Sequence, residues 1–129
     1  MNNREGESLE EIHENAKGRV TMHIYLSGPM SHRKDTDWNY PAFNTAATRL
    51  RGMGHVVFNP AENFNGRTDL SREEYMREDV RQLVDLATMT KPAVVVLDGW
   101  QNSKGAKLEV AVARELGIPV LRADTLNPV

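Results

Sequence analysis

The sequence predicts an α/β protein: a single doubly wound, mainly parallel sheet of four to five strands with helices on both faces. Three observations carry that reading. Apolar runs such as Ala93-Val94-Val95-Val96-Leu97 have the composition of strands covered on both sides. Between the runs lie segments with the i, i+3, i+4, i+7 spacing of amphipathic helices. The two alternate as β-α-β-α-β-α-β, and short right-handed crossovers then make the sheet parallel. At 129 residues, 40% hydrophobic and 26% charged, the chain fits one domain over residues 20–129, preceded by a flexible or helical arm over residues 1–19.

Taken in order, Ser8 and Glu11 have capping-box spacing for a short helix running to about Lys17. Val20 to Ser27 reads as the first strand, broken by Gly28-Pro29, and Met30 to Asn39 follows as a loop long enough to cover a ligand. Pro41 suits a first helical turn. Phe43, Ala46, Ala47 and Leu50 form the apolar stripe of that helix, and Gly54 is placed to end it. His55 to Phe58 is a second strand stopped by Asn59-Pro60, and Ala61 to Leu70, with Asn-Gly and no periodicity, reads as a lid-like loop. Ser71 and Glu74 make another capping box, opening a helix to about Thr88. Strand Ala93 to Leu97, a helix ending at Gly117, strand Ile118 to Leu121 and a short tail complete the chain.

Composition narrows the partners. A net charge of −2 without a basic stripe argues against a nucleic-acid polymer or an anionic membrane and favours small ligands. There is no cysteine, hence no disulfide framework, thiolate nucleophile or zinc-thiolate site. His13, His23, His32 and His55 lack metal-binding spacing, so neither a metal nor another cofactor is expected. No apolar run approaches the length of a membrane span, and residues 1–17 carry Glu and Asn where a signal peptide would be apolar. The expected location is cytoplasmic.

Two carboxylates fall on apolar faces. On a helical wheel Gly105, Ala106, Val112, Ala113 and Leu116 lie within about 60° of Glu109. Asp79 has Tyr75, Met76, Leu83 and Leu86 around it in the same way. Burying a carboxylate is costly, so each needs a structural mate or a chemical task. Two inward carboxylates beside a cleft are the equipment of glycosidic bond cleavage, one attacking or stabilising the anomeric carbon and the other handling the proton. The competing reading pairs Asp79 with a Lys or Arg and satisfies Glu109 with a tyrosine or backbone donor. Ser103 and Gly105 open the Glu109 helix, where free N–H groups favour an anion such as phosphate, with Lys104 adding charge.

Four segments then combine. Ile24-Tyr25-Leu26-Ser27-Gly28-Pro29-Met30, Glu78-Asp79-Val80, Ala93-Val94-Val95-Val96 and Ser103-Lys104-Gly105-Ala106-Lys107-Leu108-Glu109 together resemble the nucleoside 2-deoxyribosyltransferase superfamily. Within it the 2'-deoxynucleoside 5'-phosphate N-hydrolases and small phage and bacterial relatives look closest. The resemblance spans Met22 to Leu121 and implies a Rossmann-like or flavodoxin-like fold. It implies that Glu109 is a nucleophile toward C1' of deoxyribose, that Asp79 contacts the substrate and assists proton transfer to the leaving base, and that Tyr25 orients the glutamate. By the same resemblance Ser103 and Gly105 hold the 5' end of the sugar, and Ser27, Gly28, Pro29 and Met30 line the substrate. Pro29-Met30-Ser31-His32-Arg33 departs from the glycine- and arginine-containing phosphate loop of the hydrolases. Trp100 either packs on its loop or stacks on a base, and Asn59 either reads a base edge or caps the turn before Pro60. His32 and Arg33 read as a solvated loop.

The resulting expectation is an N-glycosidase acting on a small deoxynucleoside or its 5'-monophosphate, and a homodimer or larger homo-oligomer by resemblance. The alternatives are a deoxyribosyltransferase between nucleobases, or a catalytically inactive nucleotide-binding or sequestering protein.

Overall fold

The computed structural model describes residues 20–30, 38–66 and 69–129. The expected helix over residues 8–17 and the loop residues His32 and Arg33 lie outside the described residues. In chain order the elements are β1 (His23–Ser27), α1 (Tyr40–Gly52), β2 (Val56–Phe58), a 3-10 helix (Pro60–Gly66), α2 (Arg72–Leu86), β3 (Pro92–Val96), a 3-10 turn (Trp100–Asn102), α3 (Lys104–Glu115) and β4 (Val120–Arg122). The four strands form one sheet in the order β2-β1-β3-β4, and every pair is parallel. This is the flavodoxin-like order without its last strand. Its switch point, where such sheets take ligands, lies at the carboxyl ends of β1 and β3.

Strand alternation divides the core in two. Ile24 and Leu26 of β1, with Ala93, Val95 and Leu97, meet Phe43, Ala46, Ala47 and Leu50 of α1. Tyr25, Val94 and Val96 point to the other face and pack against Leu83 and Leu86 of α2 and Val110 and Ala113 of α3. Helices therefore cover both faces of the sheet, because successive side chains of a strand leave it in opposite directions.

Local signals set the helix ends. The Ser71 hydroxyl accepts from Glu74 N at 3.1 Å, while the Glu74 carboxylate accepts from Ser71 N at 2.9 Å, closing the capping box of α2. Ser103 caps α3 by accepting from Ala106 N at 3.1 Å. Gly54 (φ 98°) and Gly117 (φ 75°) turn the chain away after α1 and α3 in a region side chains other than glycine's rarely adopt.

Three differences from the sequence reading have physical causes. Residues 60–66 form a 3-10 helix and not an irregular lid, because contacts from α1 hold them. Arg51 donates to both Glu62 oxygens at 2.7 and 2.9 Å and to Val57 O at 2.7 Å, and Asn59 Oδ1 accepts from Ala61 N at 3.0 Å. Leu116 is 40% exposed: α3 ends at Glu115, and its buried stripe is Ala106, Glu109, Val110 and Ala113. The tail folds back antiparallel on the edge strand, with a bridge between Leu121 and Pro128 and Val129 N donating to Val120 O at 3.0 Å. It covers backbone groups that an open sheet edge would leave unpaired. No helix among the described residues is long and apolar enough to cross a membrane.

Candidate active site

Tyr25 and Ser27 are two residues apart on β1 and so face the same side, toward α2 and α3. Both reach Glu109. The Tyr25 hydroxyl donates to Glu109 Oε2 at 3.0 Å, and the Ser27 hydroxyl donates to Oε1 at 2.6 Å. Glu109 itself is 5% exposed and sits between Ala106 and Val110 on the inner side of α3. Each of its oxygens accepts one hydroxyl hydrogen bond, which fixes the carboxyl plane from below and leaves its remaining approach on the cavity side.

Asp79, on α2, is close enough to Glu109 and Tyr25 to affect their proton affinities and to be affected by them, and it accepts from Asn63 Nδ2 at 3.4 Å. Among the described residues neither carboxyl has a cationic partner, so none of these residues supplies the buried ion pair considered from sequence for Asp79. Burial, then the Asp79 charge, push the Glu109 carboxyl up to about 8, while the Ser27 and Tyr25 hydroxyls pull it down. Burial also raises Asp79, to about 6, against the hydrogen bonds from Glu109, Tyr25 and Asn63. Burial and the two nearby carboxylates hold the Tyr25 phenol well above its ordinary value, so it remains a donor. Two carboxyls this close titrate as a pair, and near neutral pH they share about one proton.

The pair opens onto a cavity of about 520 Å³ at the carboxyl edge of the sheet. Gly28, Pro29 and Met30 form the wall after β1, Asp79 and Glu109 the floor, and Ser103, Lys104 and Gly105 the start of α3. Among the residues singled out from sequence, Tyr25 and Ser27 stand behind Glu109 and do not line the cavity. Ser27 thus contacts the glutamate where a substrate contact was expected. Asn59 is 3% exposed, donates to Asn44 Oδ1 at 2.9 Å and holds the start of the 3-10 helix, so it takes the capping alternative. Trp100 packs against the α2/α3 side of the core and is absent from the cavity wall, so packing is what the fold gives it. Gly28 has a steric reason independent of any ligand: a Cβ there would come within 2.8 Å of Leu97 Cβ.

Sequence reasoning missed the aromatic wall. Trp38, Tyr40 and Phe43 line the cavity beside Tyr75 and Met76, and Arg72, the first residue of α2, lies at its edge. The clustering of Trp38, Tyr40 and Phe43 around the start of α1 was the available signal, but Phe43 also satisfies the core stripe, which hid its second face. Trp38 (φ 57°) and Asn39 (φ 63°) are both left-handed, and Asn39 Nδ2 donates to Pro29 O at 2.7 Å. That bond ties the aromatic wall to the loop after β1. Among the described residues no three His, Asp or Glu side chains gather as metal ligands would.

A parallel sheet in this order, with helices on both faces and a hollow at the switch point, is the architecture of the nucleoside 2-deoxyribosyltransferase-like fold. The solved structure of a 2-deoxyribosyltransferase from the psychrotolerant bacterium Bacillus psychrosaccharolyticus is similar to it, with a TM-score of 0.55 at 22% identity over 78% of this chain and 70% of that one. The chain belongs to the family described as Domain of unknown function (DUF4406), whose model matches residues 22–122. No curated protein matches the sequence. The resemblance read from the four segments is thus borne out at the level of the fold.

Proposed function

We propose that this protein cleaves the base–sugar bond of a 2'-deoxynucleoside or its 5'-monophosphate, with Glu109 as nucleophile and Asp79 as proton donor. The observation that carries the reading is the electrostatically coupled pair of carboxyls that lines an otherwise largely apolar cavity. In the first step a Glu109 oxygen forms a bond to C1' as the C1'–N bond breaks. The electron pair of that bond goes to the base nitrogen, which takes the proton from Asp79. Water then adds at C1', giving its proton to Asp79 and releasing Glu109 as the carboxylate. The two carboxyls are close enough to shift each other's proton affinity, which supports a covalent intermediate, for which such groups stand about 5 Å apart, over single-step inversion, which needs roughly 6.5–9.5 Å.

Near neutral pH the pair's one proton rests on Glu109, the weaker acid, and passes to Asp79 before the attack; Tyr25 and Ser27 then stabilise the ionised glutamate that the attack requires. Arg72 and Lys104 lie at the cavity edge, and among the described residues neither is paired with a carboxylate, which supports a 5'-phosphate at the start of α3. The aromatic wall of Trp38, Tyr40 and Phe43 suits the flat face of a base. Transfer to a second base is the second reading, favoured by the fold neighbour's description as a 2-deoxyribosyltransferase. Ser103 and Gly105 are assigned to the sugar's 5' end, and Gly28, Pro29 and Met30 to the wall beside it.

Incubation with a panel of deoxynucleosides and their monophosphates, with and without a second free base, tests the assignment by chromatography. Free base is the expected product, with a new nucleoside only if transfer operates. Glu109→Ala is expected to lower release by at least about a thousandfold. Unchanged turnover in a folded Glu109→Ala protein excludes the mechanism, and an intact nucleotide recovered after tight binding points to a binding protein.

A further inference from the structure

Asp79 is approached from one side by a residue that neither the sequence pattern nor the fold comparison assigns. Asn63, on the 3-10 helix, donates from Nδ2 to Asp79 Oδ1 at 3.4 Å, and its own Oδ1 accepts from Gln82 Nε2 at 3.2 Å. Gln82 Nε2 also donates to Glu78 Oε2 at 3.0 Å. Exchanging the oxygen and nitrogen of Asn63 would set an acceptor against a carboxylate and a donor against the Gln82 N–H groups. Chemistry therefore fixes the direction of both amides. Gln82 keeps its direction although its Oε1 is buried with no partner among the described residues, a cost that native structures tolerate where a site requires it.

Asn63 also arrives on an independently anchored element. Glu62, its neighbour, is clasped by Arg51 of α1 at 2.7 Å, and Asn59 at the start of the same 3-10 helix is tied to Asn44. Movement of α2 alone would change the Asn63–Asp79 contact, so the two elements register Asp79 between them. The 3.4 Å separation is long for an N–H···O bond, and such contacts in catalytic sites tighten in the substrate complex.

We propose that Asn63 is a positioning residue for Asp79: it fixes the carboxyl rotamer and makes Oδ1 the accepting oxygen, so that the transferable proton rides on Oδ2. This rests on the reading of Asp79 as proton donor to the leaving base. Among the described residues the other charged or titratable groups facing Asp79 are Glu109 from α3, Tyr25 from β1 and Glu78 from its own helix, with Tyr40, Arg72, Tyr75 and Lys104 lining the same cavity. The Asn63 N–H is a neutral donor that favours ionised Asp79 and opposes the effects of burial and of the Glu78 charge. A leucine at this position removes that donor and frees the rotamer, which makes Asp79 both less acidic and less well aimed.

The test is a carbon-13 NMR titration of the Asp79 carboxyl in a Glu109→Gln background, with and without Asn63→Leu, so that only one of the two carboxyls titrates. The Asp79 midpoint is expected to rise by about 0.5 or more on losing the donor. With Glu109 intact, Asn63→Leu is expected to lower kcat for base release about tenfold with KM within about twofold, and Asn63→Gln to recover part of the loss. A midpoint that does not move overturns the positioning role, whether or not base is released. A midpoint that moves in a protein releasing no base supports the positioning role and sinks the reaction assigned above. If Asn63→Leu does not fold, Gln82→Leu, which frees the Asn63 amide, is titrated under the same criterion.

Discussion

Replacing Glu109 by glutamine is expected to stabilise the folded chain above neutral pH while removing the proposed chemistry. The Glu109 carboxyl is held at about 8 in the fold against an ordinary 4.5. Between those values the folded state binds a proton that the unfolded chain has released, so stability falls as pH rises through the window. At about 1.4 kcal/mol per tenfold difference in proton affinity, the loss between about pH 5 and about pH 8 is on the order of 3 kcal/mol. For a chain of this size that corresponds to a fall of roughly 10 °C in Tm. Asp79, raised from 3.8 to about 6, adds to the decline with the same sign at the acid end. Glutamine carries no such proton and still offers a carbonyl to the Ser27 or Tyr25 hydroxyl. The Glu109→Gln curve of Tm against pH should therefore be nearly flat from about pH 6 to about pH 8, where the wild-type curve drops. Thermal unfolding followed by circular dichroism across that range reads the difference without any knowledge of the substrate. Parallel curves for the two proteins would show that Glu109 ionises normally, and the account of a shared proton would fail with it.

Three further outcomes follow from the same geometry. Base release should be bell-shaped in pH, with limbs near about 6 and about 8, because below the first both carboxyls are protonated and above the second neither holds a proton to donate. Ser27→Ala, which removes the 2.6 Å donor to Glu109, should move the alkaline limb upward and lower kcat by about three- to tenfold; an alkaline limb that stays in place would leave Ser27 without a role in tuning the glutamate. Gly28→Ala should cost about 1–3 kcal/mol, since the new methyl would lie 2.8 Å from Leu97 Cβ at the end of β1, and chemical denaturation that returns wild-type stability would show that β1 and β3 part there easily.

The order of elements and the two inward carboxylates were legible in the chain, because both depend on near-neighbour regularities. Apolar runs give the parallel strands, a serine with a glutamate three residues on gives the start of α2, and glycines at positions 54 and 117 give the helix ends. Helical periodicity places Asp79 and Glu109 toward the interior, and the period of a strand gives Tyr25 and Ser27 a common side. Only the packed chain decides what those side chains meet. Ser27 contacts Glu109 across 82 residues of sequence, Tyr25 across 84, and Asn63 contacts Asp79 from an element that no periodicity marks. The 3-10 helix exists because Arg51 and Asn59 hold it, Trp100 packs on the core that α2 and α3 share with the sheet, and the tail covers β4 because an edge strand has backbone groups to satisfy. Turns and faces follow from adjacent residues, whereas proton affinity follows from burial and from charges brought close by the fold. The sequence by itself therefore determined which carboxylates turn inward, and the tertiary structure decided that they face one cavity close enough for each to raise or lower the other's proton affinity.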